Sequence, residues 1–440
     1  MQNQPTFTEK YSAIIKMVMI GVLVILLLLP SYLVQQLIRE REQNQDQVKR
    51  EISSKWGAQQ RLAGPVISIP YNHYITDNDS KTRRSTKQYI HLMPSTLKVK
   101  GTVDTSMLSR SIYKVIAYTS DLEIEGTFDG EELNTIADLP SNADWDNATI
   151  NFGLSDLTGI QDEINLQVNE QTIKFNPGMD DRSLFHSGVS APISISPEGK
   201  ISFNFKLKLK GTESIEFLPV GKETRVSLHS ACPNPNFYGT FLPADRDVTE
   251  KGFDAEWKVL HLNRNYPQAW AHNGHDIDYS AFGVELMLDV DPYQKTMRSA
   301  KYAILFIAMT FLTFFFIEVL SKKKIHPIQY ILIGLVLILF YVLLLSISEQ
   351  LGFNWGYFIG SSAVVLLITI YTASVLQSNK KSMVMFAILT TLYGFIFIII
   401  QMAEYSLLFG SIGLFLFLAA VMLASRKVDW YNIGLKEKTE

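Results

Sequence analysis

The chain has 440 residues, of which 47% are hydrophobic and 19% charged, and its formal net charge is -3. That balance supplies no basic face for nucleic acid and excludes that class of partner. The single cysteine, Cys232, excludes an intrachain disulfide. It also lies too far from the N-terminus to be the acylated residue of a lipoprotein, which leaves a packed free thiol.

The average hides a division. Apolar residues gather in one N-terminal segment and in the last third, while the middle reads as ordinary soluble protein. After a short polar start carrying Lys10 and Lys16, the run from Met17 to Val34 is uncharged. It is longer than a cleavable signal's apolar region and ends without a small-x-small cleavage site, so we read an uncleaved signal anchor with Pro30 near its far end. Val34, Leu37, Ile38, Val48, Ile52 and Trp56 then recur at spacings near three and four among Gln, Arg and Glu. That periodicity predicts an amphipathic juxtamembrane helix over 36–64, ended by Gly57 and the Gly64-Pro65 pair.

From Val66 to about Val290 the pattern changes to alternation. Ile201, Phe203, Phe205, Leu207 and Leu209 alternate with Ser202, Asn204, Lys206, Lys208 and Lys210, which predicts a strand with one buried and one wet face. Residues 282–290 repeat the pattern, and shorter strands are expected at 65–71, 97–103, 113–128, 149–154, 172–175 and 224–229. Turn residues such as Asn176-Pro177-Gly178 separate them.

Five apolar segments follow, at 302–320, 327–347, 355–376, 383–401 and 406–424. At about 1.5 Å of rise per residue each approaches the roughly 30 Å of a bilayer core. Lys322 to Lys324, Lys380 with Lys381, and Arg426 with Lys427 fall on one side, whereas the turns around Glu349 and Glu404 contain no Lys or Arg. Basic short loops stay in the cytoplasm, so both termini are expected inside and residues 36–297 outside. Arg39, Arg41, Lys49 and Arg50 argue for the opposite topology. Three short loops outweigh them, because a long domain is translocated largely regardless of its charge.

The expected architecture is a six-span α-helical membrane protein, one N-terminal anchor plus a C-terminal five-helix bundle, with a large β-rich (α+β) extracytoplasmic domain between spans 1 and 2. Its divisions are 1–35 for the N-terminus and anchor, 36–64 for the juxtamembrane helix, 65–297 for the β-rich domain, 298–425 for the bundle and 426–440 for a cytoplasmic tail.

Several residues invite chemistry. His272, His275, Asp276 and Asp278 offer zinc or manganese ligand types, but their spacing matches no helical zinc signature and a polar surface loop accounts for them. No G-x-S-x-G elbow occurs. Around Gly221-Lys222, Glu216 and Glu223 stand where a phosphate loop needs Gly and Ser or Thr. Glu318 lies within an apolar segment, where a charge is a functional hypothesis by default, yet Lys322 four residues on offers a surface ion pair. Glu349 and Glu404 each close a segment that began at a lysine cluster, 25 residues after Lys324 and 23 after Lys381. They would present carboxylates to the outer domain, or serve as solvated turn residues. Gly352, Gly356 and Gly360 recur every four residues, a stripe that lets helix backbones approach closely, within the bundle or in a homo-oligomer.

The segments WGAQQRLAGPVISIPY (56–71), PNPNFYGTFLPADRDVTEKGFDAEW (233–257), VDPYQKTMRSAKYAILFI (290–307), FFIEVLSKKKIHPIQYILIG (315–334), SEQLGFNWGY (348–357) and SRKVDWY (425–431) resemble the CreD family of bacterial inner-membrane proteins. The resemblance implies a periplasmic location for the β-rich domain, a role in cell-envelope integrity and control by a two-component system. It brings no catalytic residues.

The expected function is that of a non-enzymatic inner-membrane envelope factor, embedded in the lipid bilayer, whose outer domain binds a periplasmic protein or lipid partner. No catalytic residue, cofactor or metal is expected. A transporter or lipid-handling protein and a metal-dependent hydrolase are the alternatives. The first would need a polar path through the bundle; the second needs His272 and His275 to converge with an acid.

Overall fold

The computed structural model describes residues 12–76, 83–272, 274–287, 292–321, 325–402 and 405–426. The chain divides into two compact units, Met1–Gln45 with Val290–Glu440, and Asp46–Asp289.

The inserted unit packs two sheets on one core. The first, of 9 strands, is centred on Gln60–Thr76. The start of that strand pairs parallel to Ser214–Phe217, its middle pairs antiparallel to Ala148–Leu154, and its far half pairs antiparallel to Arg83–Leu92. Phe282–Leu286 and Pro235–Gly239 extend the sheet on one side, Gly188–Ile193 and Asn176–Pro177 on the other, and Ala269–Ala271 adds to Arg83–Leu92. The second sheet has 8 strands in the order Asp245–Thr249, Gly252–Leu260, Glu223–Ser230, Thr96–Arg110, Tyr113–Asp129, Lys200–Thr212, Asn165–Val168 and Gln171–Lys174.

Alternation explains the packing. Along Lys200–Thr212 the apolar members Ile201 to Leu209 are buried while Ser202, Lys206 and Lys208 are exposed. The inner faces meet through ring pairs, Phe152 against Phe205 at 5.1 Å between centroids and Trp257 against Phe282 at 5.8 Å. Burying such a side chain is worth about 1.5–3 kcal/mol, and Cys232 joins the same core, only 3% exposed. The strand expected at 65–71 runs longer, because its two halves pair with different partners. Of the strand expected at 282–290, Phe282–Leu286 is present, and residues 288–290 lie outside the described residues.

Helix α1 (Ser12–Trp56) runs unbroken from the anchor through the juxtamembrane stretch, with Pro30 inside it, but residues 57–64 of the expected juxtamembrane helix are not helical, the first strand beginning at Gln60. The helix ends at Gly57, whose φ of 141° is open to glycine and whose Cβ, if present, would stand 2.7 Å from the Lys210 carbonyl oxygen. The remaining helices are α2 (Pro292–Lys301), α3 (Ala303–Ser321), α4 (Pro327–Leu351), α5 (Phe353–Leu376), α6 (Asn379–Gln401) and α7 (Ser406–Ser425). Among the described residues, α1, α4, α5 and α6 are long and apolar enough to cross a membrane. The pair α2–α3, bent by 43°, makes a fifth candidate, and the apolar stretch Leu408–Leu423 of α7 is shorter.

Candidate functional site

In the helical unit, Glu318 near the end of α3 is 7% exposed. It accepts hydrogen bonds from the Ile325 amide at 2.9 Å and the Tyr330 hydroxyl at 3.0 Å, and it forms an ion pair with Lys16 of α1. The Lys16 ammonium also donates to the Ile325 carbonyl at 3.0 Å. A buried carboxylate persists only when its lone pairs are taken, and here three donors take them. Lys322, which local sequence spacing offers as the partner, lies outside the described residues.

Glu349, half-buried near the end of α4, accepts from the Tyr293 hydroxyl of α2 at 2.9 Å. Glu404 lies outside the described residues. The three glycines serve the α4–α5 hairpin differently. Gly352, at φ 83°, is the one-residue connection. At Gly356 a Cβ would meet the Ser348 backbone nitrogen at 2.9 Å, so only glycine lets the two helices come this close. At Gly360 it would stand 3.4 Å from the Phe340 ring, an ordinary contact. Beneath them Tyr357 donates to the Tyr393 carbonyl at 2.8 Å and packs with Phe340 at 5.4 Å.

In the β-rich unit the histidines do not converge on a metal. His272 meets the Tyr71 hydroxyl and the His73 ring, while His275 stands edge-on to Trp270 at 5.1 Å. Among the described residues no three His, Cys, Asp or Glu side chains gather as a metal site would require.

What sequence reasoning missed is a buried polar cluster. His91 is fully buried, with Nδ1 at 3.3 Å from Asp181 Oδ2, and Trp270 covers its ring at 5.2 Å. Ser68 donates to the same carboxylate at 2.9 Å, and Ser183 Oγ lies 3.3 Å from His91 Nε2. The residue types are those of a Ser-His-Asp relay, and Ser183 and Asp181 do stand at the opposite nitrogens of the imidazole, as a relay requires. What differs is where the serine proton goes. Here Ser183 Oγ donates to Asp181 Oδ1 at 2.5 Å, so the shorter contact of the serine proton is with the carboxylate and not with the imidazole. Burial pushes the His91 pKa below the ordinary imidazole value, Asp181 pulls it up, and His275 adds to the lowering. The cluster locks three chain segments together. Its one sequence signal is a histidine set between Ile90 and Leu92, where an inward imidazole must find a polar partner.

Across the outer face of the 8-stranded sheet runs a charged concavity of 680 Å³, whose walls include Lys100, Glu123, Lys206, His229, Asp247 and Glu256. Lys206 stands opposite Glu123 in register, 3.9 Å away.

A family model described as "Inner membrane protein CreD" matches residues 12–431. The chain is also similar to Inner membrane protein CreD of Escherichia coli (strain K12), 34% identical over 422 residues that cover 94% of this chain and 92% of the relative.

Proposed function

Because the chain belongs to the CreD family of multi-pass inner-membrane proteins, we propose that it is a non-enzymatic factor supporting cell-envelope integrity, with the β-rich unit as its partner-binding part. In this reading α7 is a sixth span, both termini are cytoplasmic, and the β-rich unit is periplasmic. The short basic loops support that orientation.

The observation that carries the reading is the charged concavity. Its side chains stand on paired strands of one sheet, carry both signs of charge, with acids facing acids where Asp245 and Asp247 stand opposite Glu256 and Asp254, and leave a recess of 680 Å³ for a protein or lipid head group with complementary charge. A photo-crosslinking amino acid at Lys206 or Glu256, in cells, tests it. A discrete adduct from the concavity but not from Gln171 at the far edge strand is expected. No adduct at either position, with unchanged envelope permeability in cells lacking the protein, would contradict the proposal. The buried carboxylate of Glu318 is saturated by donors, which favours a holding role for the bundle over ion-coupled transport.

A further inference from the structure

Helices α5 and α6 leave between them a cleft of 430 Å³, lined by Asn354, Ser361, Ser362, Thr390, Tyr393 and Gly394 together with apolar and aromatic side chains. Polar side chains along a groove between two membrane-spanning helices are costly at the depth of lipid tails unless something meets them. The Tyr393 hydroxyl is buried and has no hydrogen-bond partner among the described residues, and a Cβ at Gly394 would touch nothing within 4 Å. The space is open where a side chain could have filled it.

From Asn354 in the cleft, side-chain hydrogen bonds lead to a cation. The Asn354 carbonyl oxygen accepts from the Gln401 amide at 2.6 Å, and the Gln401 carbonyl oxygen accepts from Lys295 at 3.2 Å. Lys295 is half-buried, lies 5.7 Å from the Phe353 ring centroid, and has no carboxylate within ion-pair distance among the described residues. Arg298 is exposed one turn further along α2. The groove thus leads through an amide pair to an ammonium with no carboxylate partner among the described residues.

We propose that the α5–α6 cleft is a binding site for an anionic phospholipid, its phosphate held by Lys295 with the Asn354–Gln401 amides and one acyl chain laid along the hydroxyl-lined cleft. A soluble anion would use the ammonium alone and leave the groove empty. A zwitterionic lipid would bring a second positive charge to Lys295. Charge and shape together select the anionic lipid.

The test uses the full-length protein in nanodiscs containing a trace of phosphatidylglycerol or phosphatidylcholine with a photoactivatable acyl chain. Phosphatidylglycerol should label α5 and α6 peptides in preference to phosphatidylcholine. Lys295→Gln should reduce that preference about fivefold, the worth of one cation at a membrane surface. Lys295→Arg should restore it. Gly394→Leu, which places its side chain in open space, should abolish cleft labelling by both lipids while leaving the protein's melting unchanged. Equal labelling by the two lipids, or labelling spread over all lipid-facing helices, would mean annular lipid only and overturn the proposal. Competition by excess inorganic phosphate would equally overturn it, by showing that an anion without a chain suffices.

Discussion

Lys16 and Glu318, 302 residues apart in sequence, form one buried ion pair that ties α1 to the end of α3. The two charges are 23% and 8% exposed, so water screens them poorly and each depends on the other. Lys16→Ala should cost about 3 kcal/mol, because it strands the carboxylate, with Tyr330 and Ile325 left as its donors among the described residues. Lys16→Met with Glu318→Leu should recover most of that loss, since an apolar pair needs no compensation. Thermal melting of the full-length protein in detergent reads both. A single variant that melts like wild type would show that the pair carries nothing.

The α4–α5 hairpin makes a sharper demand. Gly356→Leu must push Ser348 and its backbone aside, and overpacking of this kind costs about 1–3 kcal/mol or more. Gly360→Ala, with ordinary contact distances, should change stability little. Cellular accumulation and detergent melting of the two variants should differ in that order; equal behaviour would remove the close-approach argument.

Tyr293→Phe tests the bond to Glu349. A hydrogen bond to a charged group is worth about 1.5–3 kcal/mol, so loss of the hydroxyl should raise hydrogen exchange in α2 more than elsewhere in the bundle. Glu349→Gln keeps an acceptor there and should lose less. If Glu349→Gln instead impairs the envelope at normal protein level, the carboxylate has a role beyond this contact.

The buried His91 predicts a pH dependence for the β-rich unit. Its folded pKa is depressed by burial, despite Asp181, so the unfolded chain binds the proton more readily. Stability from this group is therefore complete above the ordinary imidazole value of about 6.5, and it falls as pH drops below that value toward the folded pKa. The slope should approach, and not exceed, about 1.4 kcal/mol per pH unit. Hydrogen exchange of the Arg83–Leu92 strand in the full-length protein at pH 7.5 and pH 5.5 measures it. Protection that is unchanged or rises on acidification would contradict the assignment.

The legibility of the sequence was uneven for physical reasons. Strands such as Lys200–Thr212 announce themselves, because one face is dry and the other wet. The apolar helices do so by length alone. Interactions between remote segments leave no local trace: Ser68 meets Asp181 across 113 residues, and Lys16 meets Glu318 across 302. The periodicity after Val34 marks a helix that carries on from the span before it, and Gly57 marks its end. His272 and His275 are close in sequence and far apart in role, since each ring turns to a different aromatic neighbour.

The central claim is that the β-rich unit faces the periplasm. Cys232 is a poor reporter, at 3% exposure, whereas Leu262 is 79% exposed. A Leu262→Cys variant in a Cys232→Ala background, treated in intact spheroplasts with a membrane-impermeant maleimide, reads the side directly. The account predicts full labelling before lysis; labelling that occurs only after lysis would contradict it.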